Sequence, residues 1–136
     1  MQSPKKMKVI LRTGKRKKAI AKATMKDGKG IVRINSQLLE NYQPEIARMK
    51  IQEPLMLTGD QFKKFNFDVK VQGGGWMSQA DASRLAIARC LVETNKNLKK
   101  TFLDYDRHLL IQDSRHTEAS KPNDSKPRAK RQKSKR

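Results

Sequence analysis

The positive charge of this chain gathers at its two ends, and that placement restricts what it can fold into. Of 19 net positive charges, 15 lie in residues 1–18 and 119–136. The first stretch holds eight basic residues and no acid; the second holds eight against Asp124 alone. Segments this one-sided repel themselves unless a polyanion neutralises them, which points to nucleic acid or an anionic membrane. Membrane is disfavoured, because no apolar run approaches the roughly 20 residues of a spanning helix and neither basic end carries bulky anchoring side chains. After Glu118 the composition is almost wholly Lys, Arg, Pro, Ser, Asn, Asp and Gln, too little apolar area to offset the entropy of ordering. Eighteen such residues extend to at most about 60 Å, so the tail can act far from a folded body.

The expected organisation is a basic N-terminal arm over 1–18, a folded α+β body over 19–118 and an extended basic tail over 119–136. In the body, Ala19, Ala21, Ala23 and Met25 alternate with Ile20, Lys22, Thr24 and Lys26, the period of a strand with one small buried face. Asp27-Gly28 and Gly30 supply a turn into Ile31–Ile34, which predicts a β-hairpin. Asn35 and Ser36 suit the cap of a short helix through Glu40. Pro44 and Pro54 suit the starts of two helical pieces, with a break at Thr58-Gly59-Asp60. Phe65, Phe67, Val69 and Val71 line one face of a strand that ends at Gly73-Gly74-Gly75. From about Ser78 to Asn95 the residues are apolar nearly all round, which predicts the buried central helix. Arg84 and Arg89 lie about 140° apart on it, so they form no single basic stripe, and Asp81 can pair with Arg84. A shorter helix over Leu98–Tyr105 and a last strand at Leu109–Ile111 complete the body.

Catalytic readings find little support. The triple glycine before a helix suits a tight turn or close approach of a nucleic-acid backbone, but no Gly-Lys-Ser/Thr follows and the spaced dinucleotide fingerprint is absent. Cys90 is the single cysteine, which excludes an internal disulfide and a thiolate pair for zinc, and reads as a core residue. His108 and His116 lack further ligands. Asp104, Asp106, Asp113 and Glu118 are interleaved with Arg107, Arg115 and His116, which offer ion-pair partners rather than a metal site. Ser78 lacks a nucleophile-elbow context. Trp76, Tyr42 and Tyr105 suit packing as well as stacking on a base. No enzyme, cofactor, metal or small-molecule substrate is expected. No apolar h-region precedes Arg12, so the chain is expected to be intracellular.

Three segments in order, Gly14-Lys15-Arg16-Lys17-Lys18-Ala19-Ile20-Ala21-Lys22, then Gly73-Gly74-Gly75-Trp76-Met77-Ser78-Gln79-Ala80 leading to Arg84, Ala88 and Arg89, then Asp113 to Glu118 with Lys121-Pro122 and Pro127 to Arg136, resemble one family. It is the universal family of the ninth small-subunit ribosomal protein, in its archaeal and eukaryotic form, and the likeness covers about residues 12–136. The resemblance implies a compact α/β body with a left-handed β-α-β crossover, like the second domain of ribosomal small-subunit protein five. It implies residence in the small-subunit head, in the cytoplasm, with ribosomal RNA and neighbouring head proteins as partners. Residues matching RNA-contacting segments are Arg12, Lys15, Arg16, Lys17, Lys18, Gly73, Gly74, Gly75, Arg84, Arg115, Lys121, Lys126, Arg128, Lys130 and Arg131. Lys133, Ser134, Lys135 and Arg136 match the tip that approaches the peptidyl-site tRNA. Ser78 stands where the family has glycine, and a positive φ there would strain a serine. The spacer Ser120–Lys126 is more polar than the glycine-bearing family version.

Two other readings share some of these features. A free nucleic-acid compaction protein needs the same basic ends, and sedimentation with small subunits in moderate salt separates it. A small-molecule kinase is favoured only by the glycine turn, which lacks a phosphate-gripping lysine; nucleotide titration tests it.

Overall fold

The structure, a computed structural model, describes residues 9–112. Five strands form one mixed sheet: β1 (Ile10–Arg16), β2 (Ala19–Asp27), β3 (Val32–Ile34), β4 (Gln37–Leu38) and β5 (Phe65–Gln72). Their spatial order is β1-β2-β5-β3-β4, with β3 and β5 parallel and every other neighbouring pair antiparallel. Three α-helices follow the chain as α1 (Glu45–Leu57), α2 (Trp76–Thr94) and α3 (Leu98–Tyr105). The fold is therefore α+β, as expected, and none of the described helices is long and apolar enough to cross a membrane.

The sheet begins earlier than the charge pattern suggested. Ile10–Arg16 pairs residue for residue with Ala19–Met25, so the cationic run Lys15 to Lys18 is the end of a β-hairpin and not part of a free arm. Ile10 and Gly14 are buried on one side while Leu11, Thr13 and Lys15 face outward, an alternation hidden in the sequence by the surrounding charge.

The expected hairpin between β2 and β3 is also corrected, because β5 lies between them. Eight consecutive residues of β2 pair with β5 from Ile20↔Gln72 to Asp27↔Phe65, which leaves β3 the far edge of β5. The loop crosses the start of β5 and is pinned there by Asn66, whose Oδ1 accepts from the backbone N–H groups of Lys29 (2.9 Å) and Ile31 (3.1 Å).

Asn35 and Ser36 cap no helix; with φ of 52° and 69° they make the two-residue turn between β3 and β4. Consecutive left-handed residues match the twist of a hairpin, and asparagine tolerates that region better than most residues. The Asn35 side chain also extends the sheet, accepting from Val71 N–H at 2.8 Å and donating to Val71 O at 3.0 Å. Pro44 precedes α1, but Pro54 lies inside it, so one helix replaces the two expected pieces. Thr58 and Gly59 end it, Gly59 with φ of 65°. Leu109 is buried in a short 3-10 turn over Arg107–Leu109 and not in a strand.

One face of the sheet is covered by α2, against which α1 packs. The contact is close because both sides are small: Ala19, Ala21 and Ala23 of β2 meet a helix carrying Ala80, Ala82, Ala86 and Ala88, all fully buried. Gly14 is the tightest point, since a Cβ there would meet the backbone of Ala82 and Ala86. Phe67, Phe102, Ile34, Ile51, Ile87 and Leu91 fill the space around them, each contributing about 1.5–3 kcal/mol by leaving water. Cys90 is fully buried in this core, where desolvation pushes its thiol up to about 12, so it is an inert packing residue as expected. Tyr42 belongs to the core as well, and burial raises its phenol.

Candidate nucleic-acid interface

The hairpin end and the glycine turn, 55 residues apart in sequence, meet in space. Gly73 and Gly74 take φ of 82° and 64°, and an added Cβ would meet Lys18 O at Gly73 and the Ala19 backbone at Gly74. Glycine is thus required twice over, for the left-handed turn and for the approach to the β1–β2 turn. The result is a single ledge carrying Lys15, Lys17 and Lys18 beside the exposed Gly73–Gly75 and the N-terminus of α2. Gly75 supplies no side-chain cap there, so the positive end of the helix dipole adds to the field of the lysines. Gln79 braces the turn by donating from Nε2 to Gly73 O at 3.2 Å. Ser78 sits in the first turn of α2 and is absent from the residues with positive φ, so the serine is accommodated without backbone strain. Trp76 is 47% exposed at the same corner, and Tyr105 is exposed elsewhere.

Lys17 has φ of 52°, in the left-handed region where glycine or asparagine sits more comfortably. A lysine held there presents its ammonium at the outermost point of the hairpin at a conformational cost of order 1 kcal/mol.

Behind the ledge is a cleft of about 190 Å³ lined by Lys15, Arg16, Lys50, Asp81, Arg84, Leu85, Asp106 and His108. Its cations are largely held by acids. Asp81 accepts from Lys50 at 3.2 Å and lies 4.0 Å from Arg16. Arg84 does not pair with Asp81 as expected; one of its terminal nitrogens reaches Glu53 at 2.6 Å and Asp106 at 3.1 Å. It is 8% exposed, with its Nε buried and unpaired, and it ties α2 to α1 and to the segment after α3. Arg84 is therefore an internal cross-link and not a surface cation. Arg89 is also structural, donating to Thr13 O at 2.8 Å and Leu110 O at 3.3 Å. Arg12 pairs with Glu93 at 2.8 Å, and that hydrogen bond raises its already high pKa.

Asp106 is pushed upward by burial, but hydrogen bonds from the His108 N–H and Arg84, with the charge of Arg84, outweigh that and hold its carboxyl below its ordinary value. It is an ion-pair partner, and no group of His, Cys, Asp and Glu able to hold a metal occurs among the described residues. Arg115, Lys121, Lys126, Arg128, Lys130, Arg131, Lys133, Ser134, Lys135 and Arg136 lie outside the described residues, as do Asp113, His116 and Glu118. Lys50 and Glu53 were not singled out from sequence; no local spacing connects α1 to residues 31 positions away in α2.

Comparison with known proteins adds identity to this geometry. Residues 14–136 match the family model described as ribosomal protein S9/S16. The chain is similar to the small ribosomal subunit protein uS9 of Methanococcus maripaludis strain S2, 49% identical over 132 residues, which cover 94% of this chain and 98% of that protein. The uS9 of Methanococcus vannielii is 48% identical over the same shares. With the match running from Gly14 through Arg136 and half of its residues shared with these uS9 proteins, the chain belongs to the ribosomal protein S9/S16 family.

Proposed function

We propose that this protein is a structural constituent of the small ribosomal subunit, resident in its head, that clamps small-subunit ribosomal RNA between a rigid cationic ledge and its basic tail. The observation that carries the reading is the reach of the family match, which includes the cation-rich end through Arg136 as well as the folded body. The ledge supports it physically: Lys15, Lys17 and Lys18 project from a braced hairpin, so the backbone that carries them is already in place when phosphates displace their counterions. On this reading the chain is not an enzyme, takes no cofactor, and has RNA and neighbouring head proteins as partners. The β3–α1–β5 crossover takes the left-handed sense that the family resemblance implies.

The body fixes orientation, and Arg115, Lys121, Lys126, Arg128, Lys130 and Arg131 add phosphate contacts along the tail. Lys133, Ser134, Lys135 and Arg136 then lend positive charge and a hydroxyl to the peptidyl-site tRNA. Truncation before Lys133 should speed tRNA dissociation from the peptidyl site of otherwise complete small subunits several-fold, an effect that shrinks as salt rises. Dissociation unchanged by the truncation removes the tip from the mechanism. Failure of the full chain to sediment with small subunits in moderate salt removes the ribosomal reading itself.

A further inference from the structure

Arg12, Arg16, Arg48, Lys50, Lys63 and Arg84 all have carboxylate partners, supplied by Glu93, Asp81, Glu45, Asp60, Glu53 and Asp106. The sheet face turned away from α2 is exposed among the described residues and differently charged. There one shallow groove of about 400 Å³ runs across β2, β5 and β3 and contains Lys22, Lys26, Arg33 and Lys70 with a single carboxylate, Asp68. All four cations are exposed, and none has an ion pair within the described residues.

Register sharpens the arrangement. Lys22 of β2 is directly opposite Lys70 of β5. Side chains so placed have Cβ atoms about 5 Å apart, and like charges there destabilise the free sheet. Lys26 lies on the same face four residues along β2, about 13 Å away. Lys22 and Lys70 also line the adjoining groove beside Ile20, Asn35 and Gln72. Ile20 is the cross-strand neighbour of Lys15, so this face is continuous with the ledge.

We propose that the open sheet face is a second RNA-binding surface, on which one ribose-phosphate strand crosses β2 and β5 with a phosphate bridging Lys22 and Lys70. Charge complementarity selects the occupant. A groove with four cations against the single carboxylate Asp68, which stands opposite Arg33, suits a chain of evenly repeated anions, whose charge relieves the lysine repulsion and whose sugars can rest on the half-exposed Ile20. This inference rests on the ribosomal-RNA reading given above and extends it to residues outside the ledge and tail.

The test uses the full chain with deproteinised small-subunit ribosomal RNA, measuring the slope of log affinity against log salt for three proteins: the unaltered chain, K22Q/K70Q, and the charge-matched K99Q/K100Q on α3. The expected result is a slope shallower by about 1.5 for K22Q/K70Q, from two lost phosphate contacts, with the α3 variant following the unaltered chain. The free K22Q/K70Q protein should melt no lower than the unaltered chain, since it loses a repulsion. An unchanged slope for K22Q/K70Q overturns the inference while leaving the ribosomal reading intact; absence of RNA binding by the unaltered chain overturns the reading on which it rests. Equal losses in both variants reduce the effect to net charge and overturn the site. Cross-linking of Lys22 and Lys70 in assembled subunits should recover RNA, and recovery of an acidic protein segment instead overturns the choice of occupant.

Discussion

Replacing Gly14 by valine is expected to lower the unfolding free energy by about 3 kcal/mol or more, the upper range for forcing volume into a packed core. Gly14 is buried in β1, and a Cβ there would collide with the Ala82 carbonyl oxygen and the Ala86 backbone nitrogen, with Leu85 Cβ also in reach at 3.1 Å. The obstructing atoms belong to the helix backbone, so no rotamer change makes room. Relief requires β1 to separate from α2, which would also strain the Arg89 bond to Thr13 O. Urea denaturation followed by circular dichroism measures the loss. Gly75→Ala is the matched control, since nothing lies within 4 Å of its Cβ position, and a change within about 0.5 kcal/mol is expected. A Gly14→Val protein as stable as the unaltered chain would show that the sheet and α2 are not in close contact.

Arg84→Met should cost about 2 kcal/mol. Removing one partner of a fully buried ion pair costs about 3–5 kcal/mol, but Glu53 and Asp106 retain 34% and 37% side-chain exposure, so solvent takes up part of their charge. Methionine keeps the apolar stem and isolates the loss of the guanidinium. The same change should alter the acid limb of stability. Asp106 has a folded pKa below that of the unfolded chain, so its contribution is complete above about pH 4 and is lost as pH falls through the folded value. Without Arg84 only the His108 N–H and charge oppose desolvation, so the folded value moves back toward the unfolded one and the acid-dependent loss becomes smaller. Unfolding at a series of pH values between about 2 and 6 checks this. Identical acid limbs in Arg84→Met and the unaltered chain would mean that the pair contributes nothing.

Much of the body was legible because its elements carry strong periodicity. The alternation over Phe65–Gln72 matches β5 at both ends, and the apolar run after the glycines matches α2 to within two residues. Leu98–Tyr105 likewise coincides with α3. The failures have a common physical source in contacts remote along the chain. Charge density over residues 1–18 concealed β1, whose only inward residues of note are Ile10 and Gly14. The turn residues after β2 correctly marked a reversal, but nothing local reveals that β5, some 40 residues later, takes the intervening place.

The ledge was half legible. Its lysines and glycines were each singled out, and their meeting depends on the approach of Gly73 and Gly74 to Lys18 and Ala19, which only the fold supplies. Arg84 looked like its neighbours in sequence and differs in burial; the acids that hold it lie 31 residues before and 22 after. On the sheet, the alternation already assigned Lys22, Lys26 and Lys70 to outward faces. That β2 and β5 are neighbours, with Lys22 facing Lys70, needed the register.

The clamp on RNA is tested most directly by the reactivity of Lys15, Lys17 and Lys18 toward an amine-modifying reagent, read by mass spectrometry for the free protein and for assembled small subunits. The three ammonium groups should react readily in isolation and be strongly protected in the particle, with protection lost after ribonuclease digestion. Equal reactivity in both states would contradict the clamp, because a ledge that meets phosphates cannot stay open to solvent.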